Sequence, residues 1–309
     1  MTTPARTRPD AAETPTAAGR AETLRNPDGR TAAPAAFLVF AYPAGPAVGN
    51  RYPLGDGPTY IGRQEDCAVR SADVSVSRYH AGILRREDGE YVIFDLGSMN
   101  GTFVNDRRGR EAVLRDGDEL RVGNCIYRFL AGEDVEAEYR EEVYRLTTRD
   151  GLTRVSNRRH LHEVLVREAA RGEQHARPLS LVLFAIDHFE AVNVRFGRLA
   201  GDTTLRELCT RVRVVLRRDE LLARFGGDEF AVVVPEAGPE EAREAAERIR
   251  AAIEKQPFAY CGRAFSVTIS LGVAVTCPAE PLGVDELIAR AVASLDKAKE
   301  AGLDAAVVG

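Results

Sequence analysis

Two groups of residues have the types and the spacing to handle phosphate. The first is three clusters in order: Gly62-Arg63, then Ser77-Arg78-Tyr79-His80, then Gly97-Ser98-Met99-Asn100-Gly101-Thr102. Arg63 and Arg78 can give charge-assisted hydrogen bonds to a dianionic phosphate, Ser77 a hydroxyl, and Asn100 an amide able to hold a peptide backbone. The second is Arg224-Phe225-Gly226-Gly227-Asp228-Glu229-Phe230, a glycine-rich turn between apolar arms and hence a β-hairpin. Without a Cβ, Gly226 and Gly227 let a triphosphate lie against backbone amides, while Asp228 and Glu229 offer hard oxygen ligands suited to Mg²⁺. Taken singly, each residue has a blander reading as a turn glycine, a solvated arginine or an acidic hairpin tip. The ordered sets decide against it.

The elements that must position these groups fall into four stretches. Residues 1–35 are rich in Ala, Thr, Pro and Arg and predict a disordered tail, because they carry too little apolar surface to offset ordering entropy. From 36 to 131, short β-favouring runs separated by Gly, Asp, Asn and Ser clusters predict an all-β sandwich. Across 132–149, Val135, Tyr139, Val143 and Leu146 share one helical face and predict a connecting helix. From 150 to 309, helical patterns (158–173, 203–216, 239–254, 284–301) alternate with strand patterns (179–186, 229–234, 266–274), which predicts an α/β domain with a mixed, mainly antiparallel sheet flanked by helices.

Gly-Arg, Ser-Arg-x-His and Gly-Ser-x-Asn-Gly-Thr, in that order over residues 36–130, resemble a forkhead-associated (FHA) domain without evident departure. The resemblance implies binding of a threonine-phosphorylated protein, with Arg63, Ser77 and Arg78 at the phosphate and Asn100 at the peptide backbone. It also implies that His80 supports the loop from within.

From about Asp150 to Gly302 the chain resembles GGDEF-domain diguanylate cyclases, which join two GTP into cyclic di-GMP and two pyrophosphates. The matching pieces are Asp150-Gly151-Leu152-Thr153 with Asn157-Arg158-Arg159, Asp187-His188-Phe189, Asn193, Phe196-Gly197, Gly201-Asp202, Gly226 to Phe230, and Val267 to Gly272. The resemblance implies that Asn193 and Asp202 bind guanine, with Gly226, Gly227 and Lys299 at the phosphates. It further implies that Asp228 binds Mg²⁺ and that Glu229 helps to bind metal or activate the attacking hydroxyl. Arg217 and Glu220 stand where such proteins carry an Arg-x-x-Asp inhibitory site for cyclic di-GMP, with Glu in place of Asp.

Three departures fall on important positions. Ala185 replaces a metal-binding carboxylate, Glu190 a lysine near the phosphates and Leu303 another phosphate-facing cation. Asp187 lies on the same side of the strand as Ala185 but about 6–7 Å further along. Magnesium-GTP binding should suffer, and turnover more. Two readings follow. One is a bacterial cytoplasmic signalling adaptor whose GGDEF half is a degenerate, inactive pseudo-enzyme that senses GTP or cyclic di-GMP or forms a homodimer or heterodimer; the other is a phosphopeptide-regulated cyclase. The tail threonines Thr7, Thr14, Thr16 and Thr23 would offer the FHA half an internal ligand if phosphorylated.

Composition fits both readings. The 309 residues are 44% hydrophobic and 29% charged with net charge -5, ordinary for a soluble chain of about two domains and without the excess of basic residues of a nucleic-acid coat. No apolar run approaches a bilayer span and no secretory h-region is visible, so neither a membrane nor export is expected. Five scattered cysteines suggest neither disulfides nor zinc and fit a reducing cytoplasm.

Overall fold

A computed structural model of the chain describes residues 36–132, 134–301 and 306–308. The tail, its threonines and Leu303 lie outside the described residues.

The N-terminal unit comprises β1 (Ala36–Tyr42), β2 (Arg51–Pro53), β3 (Thr59–Gly62), β4 (Val69–Arg70), β5 (Ala81–Arg85), β6 (Tyr91–Asp95), β7 (Thr102–Val104), β8 (Arg107–Gly109), β9 (Glu111–Leu114), β10 (Glu119–Val122) and β11 (Cys125–Ala131). They form two sheets, ordered β2-β1-β11-β10-β7-β8 and β4-β3-β5-β6-β9. Their inner faces meet in a core of Leu38, Ile61, Ile83, Ile93, Leu120, Tyr127 and Phe129. Alternating apolar residues on half-buried strands produce this sandwich. Strands β2, β4, β8 and β9 were not evident as β-favouring runs, being only two to four residues long.

Helix α1 (Val135–Thr148) does not stand free as a linker. Val135 is buried with Phe37, Val39 and Leu130, and Tyr139 and Leu146 pack on them. Tyr139 Oη donates to the Gly49 carbonyl at 3.0 Å.

The C-terminal unit contains α2 (Arg158–His175), β12 (Leu179–Ile186), α3 (Phe189–Phe196), α4 (Arg198–Val215), β13 (Leu221–Gly226), β14 (Glu229–Pro235), α5 (Pro239–Glu254), β15 (Phe258–Tyr260), β16 (Arg263–Phe265), β17 (Ile269–Thr276), α6 (Val284–Glu300) and β18 (Ala306–Val308). The sheet order is β13-β14-β12-β17-β18, antiparallel except for the parallel β17–β18 pair. Strand β12 is buried along its whole length, because its even residues Val182, Phe184 and Ile186 pack under α4 and α5 while its odd residues Leu181, Leu183 and Ala185 pack under α2 and α6.

Two sequence expectations shift here. The strand expected at 266–274 runs from Ile269, since its partner β12 ends at Ile186, opposite Ile269, and leaves residues 266–268 without a strand to pair with. The helix expected from 203 begins at Arg198 and is preceded by α3, separated by Gly197 in a left-handed conformation (φ +87°).

The two units share a core. Ala41 of β1 and Ile126 of β11 are buried in the same cluster as Leu152, Val155, Leu205 and Leu208. Around this seam Glu119 accepts from Arg154 at 2.5 Å and from Arg206 at 3.0 Å, Arg206 also pairs with Asp106, and buried Glu142 lies 3.5 Å from Arg128. Such partly desolvated pairs hold register, because removing one partner leaves a charge stranded. Gly151 is packed so closely on β1 that a Cβ would overlap the Ala41 carbonyl oxygen.

The Gly151→Ala protein is therefore expected to lose about 1–3 kcal/mol of stability from overpacking. A lower urea midpoint and faster tryptic cleavage between the units would show it, with affinity for a phosphothreonine peptide unchanged; a wild-type midpoint would contradict the close seam.

Candidate functional sites

The three clusters of the β-unit meet at one end of the sandwich. Ser77, Arg78 and Tyr79, with Gln64 and Leu96, line a cleft of about 480 Å³. His80 lies fully buried beneath it; its Nδ1 accepts from the Ser77 amide at 3.0 Å and its Nε2 lies 3.1 Å from the Gly101 carbonyl. This pairing requires the neutral ring with the proton on Nε2. Burial lowers the His80 pKa, against the pull of the Gly101 carbonyl and Asp95, which keeps that tautomer. His80 thus ties the Ser-Arg loop to the Gly-Thr loop, the supporting place expected of it.

Arg63 and Asn100 point elsewhere than expected. Arg63 Nε donates to the Val76 carbonyl at 2.6 Å, and Asn100 Nδ2 donates to the Ser75 carbonyl at 2.6 Å. Both brace the 71–78 loop, and neither lines the cleft. Asp95 is a residue that sequence reasoning passed over: its carboxylate accepts from the amides of Gly97 and Ser98 and from the hydroxyls of Ser98 and Thr102. Burial alone would raise its pKa, but these hydrogen bonds bring it below the ordinary range. An Asp two residues before a Gly-Ser pair is a visible turn signal.

In the α/β-unit, β13 and β14 form the expected hairpin. A Cβ at Gly226 or Gly227 would meet nothing within 4 Å, so these glycines leave an open face and do not serve packing. Arg224 props the turn, donating to the Gly227 carbonyl at 2.6 and 2.9 Å and to Asp150 at 3.1 Å. Beside it, α3 and α4 approach so closely at Gly201 that a Cβ there would overlap Asn193 Oδ1. Asn193, Asp202, Arg224, Gly227 and Asp228 line one cleft of about 400 Å³, together with Arg198. Asp202 stands among Arg206, Arg121, Arg224 and Arg198, yet no described residue hydrogen-bonds its carboxylate; burial outweighs those cations and pushes its pKa up to about 6. The cleft's remaining wall comes from the β-unit: Tyr42, Pro43, Asp73 and Asn124. Nothing in the sequence pattern had pointed to these.

The catalytic row is different. Ala185 pairs with Glu229 on one side and Ser270 on the other, so the three side chains lie abreast on the α6 face. Lys299, near the end of α6, reaches Glu229 at 3.3 Å. Asp187 sits beyond the strand end, where Thr268 Oγ1 and Ser270 Oγ each donate to its carboxylate at 2.7 Å. Its carboxylate is thus held against β17 and does not fill the place of Ala185. Exposed Glu190 lies in the first turn of α3, where a negative charge favours the helix dipole. Among the described residues no group of three or more His, Cys, Asp or Glu is placed to hold a metal ion. Asp228 is the hairpin's single carboxylate lining the cleft shared with Asn193 and Asp202.

The Arg217–Glu220 pair is divided. Arg217 is exposed, but Glu220 turns inward, accepting from Arg248 Nη2 at 2.6 and 2.7 Å and from the Arg217 amide at 2.7 Å. The Glu220 carboxylate, expected at an inhibitory site, is thus engaged in a buried ion pair with Arg248.

Comparison with known proteins agrees with both halves. The family described as "FHA domain" matches residues 59–123, and "Diguanylate cyclase, GGDEF domain" matches residues 147–305, just over half of the chain. Diguanylate cyclase DgcP of Pseudomonas aeruginosa is 39% identical over 155 residues, covering 50% of this chain and 23% of that protein. The response regulator PleD of Caulobacter vibrioides is 35% identical over 207 residues, covering 61% and 45%. This chain thus spans less than half the length of these curated relatives. Among solved structures, diguanylate cyclase SiaD with its activator SiaC from Pseudomonas aeruginosa superposes with TM-score 0.52 at 29% identity, covering 57% of this chain and 67% of that one. The coiled coil and GGDEF domain of DgcB from Caulobacter crescentus, in complex with c-di-GMP, gives 0.52 at 27%, covering 56% and 92%. With the β-sandwich and its Ser-Arg-x-His and Asn-Gly-Thr loops on one side, and the Gly-Gly-Asp-Glu-Phe hairpin in its mainly antiparallel sheet on the other, the chain belongs to the GGDEF domain family and carries an FHA domain on the N-terminal side.

Proposed function

We propose that this protein binds a threonine-phosphorylated partner through its FHA domain and a guanine nucleotide through its GGDEF domain, without joining two GTP into cyclic di-GMP. FHA domains bind phosphothreonine proteins, and GGDEF domains bind GTP or cyclic di-GMP and often dimerise. The observation that carries the proposal is the Glu229–Ala185–Ser270 row. Where the reaction needs a second metal-binding carboxylate there is a methyl group, and the neighbouring Asp187 is held by Thr268 and Ser270. A magnesium ion would bridge and neutralise the phosphates in phosphoryl transfer; this row offers it little. The chain's own groups still suit binding: Asn193 and Asp202 for the base, and open glycine backbone for phosphate oxygens.

A second reading, a phosphopeptide-regulated cyclase, is favoured by the retained Asp228 and Glu229 and by the names of the relatives. Mg²⁺ often manages with one carboxylate plus phosphate oxygens. In this reading Asp228 would hold the metal and Glu229 would assist the attacking hydroxyl. The Lys299 contact to Glu229 weighs against it, because it occupies the very carboxylate the chemistry would use. A cytoplasmic site of action and pairing with itself or with another GGDEF protein belong to the proposal. Among the described residues no helix is long and apolar enough to cross a membrane.

Three outcomes test this reading. Purified protein with Mg²⁺ and GTP is expected to yield no cyclic di-GMP by mass spectrometry, with or without phosphothreonine peptides, while the combined Ala185→Asp, Glu190→Lys, Leu303→Arg protein yields it. Product from the unaltered chain would establish the cyclase reading instead. On a phosphothreonine peptide array, Ser77→Ala and Arg78→Ala are each expected to weaken binding at least about tenfold, the worth of charge-assisted hydrogen bonds; undiminished binding would place the site elsewhere. The third concerns pH. A guanine edge donates to a carboxylate, so GMP affinity, corrected with AMP for phosphate titration, should be level above pH 7 and fall roughly tenfold per unit below about 6. The stability that protonated Asp202 gives is full below the ordinary 3.8 and lost as pH rises through about 6. Asp202→Asn should therefore melt higher than wild type at pH 7.5, the gap closing towards pH 4. GMP binding level from pH 8 to 5 would remove Asp202 from base reading.

A further inference from the structure

The FHA wall of the nucleotide cleft carries a feature that its own fold does not explain. Asn124 is the second residue of the two-residue turn between β10 and β11, and it is only 8% exposed. Its backbone amide donates to Ser75 Oγ at 2.7 Å, but its carboxamide makes no hydrogen bond to any described residue. That side chain lines the same cleft as Asn193 and Asp202, across the seam between the domains. The carboxamide is not among the buried polar atoms left without a partner, so it opens to the cleft, where water or a ligand can satisfy it. Here the open volume is about 400 Å³, the size of a small-molecule site, and polar groups converge on it from both domains.

We infer that the guanine nucleotide is bound between the two domains, with the Asn124 carboxamide hydrogen-bonding its base or ribose. This rests on the reading that the cleft takes a guanine nucleotide. An amide both donates and accepts, so it complements Asp202, which as a carboxylate can only accept.

The wall is also wired to the phosphopeptide site. Ser75 Oγ donates to Asp73, another residue of the cleft, and accepts from the Asn124 amide, while the Ser75 carbonyl accepts from Asn100. A phosphopeptide that draws Asn100 towards its own backbone releases the Ser75 carbonyl and disturbs the segment that seats Asn124. The two ligands are therefore linked, each changing the other's affinity by the same factor.

The test is calorimetric titration of GTP into the full chain and its Asn124→Ala and Asp202→Ala variants, with and without a saturating phosphothreonine peptide. Alanine at 124 keeps the backbone amide that holds Ser75, and unchanged peptide affinity would show an intact FHA domain. The expected result is GTP binding by wild type, weakened about three- to tenfold by Asn124→Ala, as for one lost hydrogen bond, and removed by Asp202→Ala. Peptide is expected to shift the wild-type affinity at least about twofold and to leave Asn124→Ala unshifted, as coupling through a shared group requires. Wild-type affinity in Asn124→Ala, with loss in Asp202→Ala, would overturn the shared pocket and leave the guanine reading standing. No GTP binding by any of the three would overturn both, and an equal peptide shift in wild type and Asn124→Ala would overturn the proposed link.

Discussion

The close contact of β1 with the Asp150-Gly151-Leu152 segment is the constraint on which the rest depends. Because Gly151 has no Cβ, the Ala41 carbonyl can lie against it, and Ala41 and Ile126 enter the core of the neighbouring domain. From that seam follow the Glu119 cluster with Arg154 and Arg206, the docking of α1 on the FHA sheet and the placing of Tyr42, Pro43, Asp73 and Asn124 at the mouth of the nucleotide cleft. Asp150 itself is held by Arg224, which also carries the Gly227 carbonyl. The same few residues therefore join the domains and set the hairpin.

The titratable groups of the two clefts are held in contrasting ways. Asp202 is held among arginines without being tied to any of them, which makes folding less favourable at neutral pH and leaves its carboxylate for a ligand. His80 and Asp95 go the other way: fully engaged, they fix the two loops at the cleft that Ser77 and Arg78 line. Ala185 is buried to the same degree as Leu183 and Phe184 beside it. It lies between two polar residues, Ser270, which donates to Asp187, and Glu229, which pairs with Lys299.

Much of this was legible in the sequence. Strand β12 and helix α5 have the bounds that periodicity predicts, because nothing competes with their patterns. The hairpin and the loop clusters could be read from residue type and order, and the Ala185 departure from the resemblance to the GGDEF family. Helix α3 escaped because it is eight residues long and has no buried residue of its own, so it shows no apolar stripe. The inward turn of Glu220 escaped because it depends on Arg248, twenty-eight residues away. Arg63 and Asn100 occupy the expected loops but brace the chain's own carbonyls, a choice of partner that type and spacing do not contain. Asn124 escaped for the same reason: in sequence it is a turn residue, and only the seam makes it part of a pocket.

The central claim is that the cleft binds guanine nucleotide and the row beside it does not turn it over. The most direct measurement is to hold the protein, saturated with α-phosphate-labelled GTP and Mg²⁺, for hours, then quench and separate the nucleotides. The account predicts label retained by the protein and recovered as intact GTP. Label appearing in cyclic di-GMP, with pyrophosphate released in step, would contradict it.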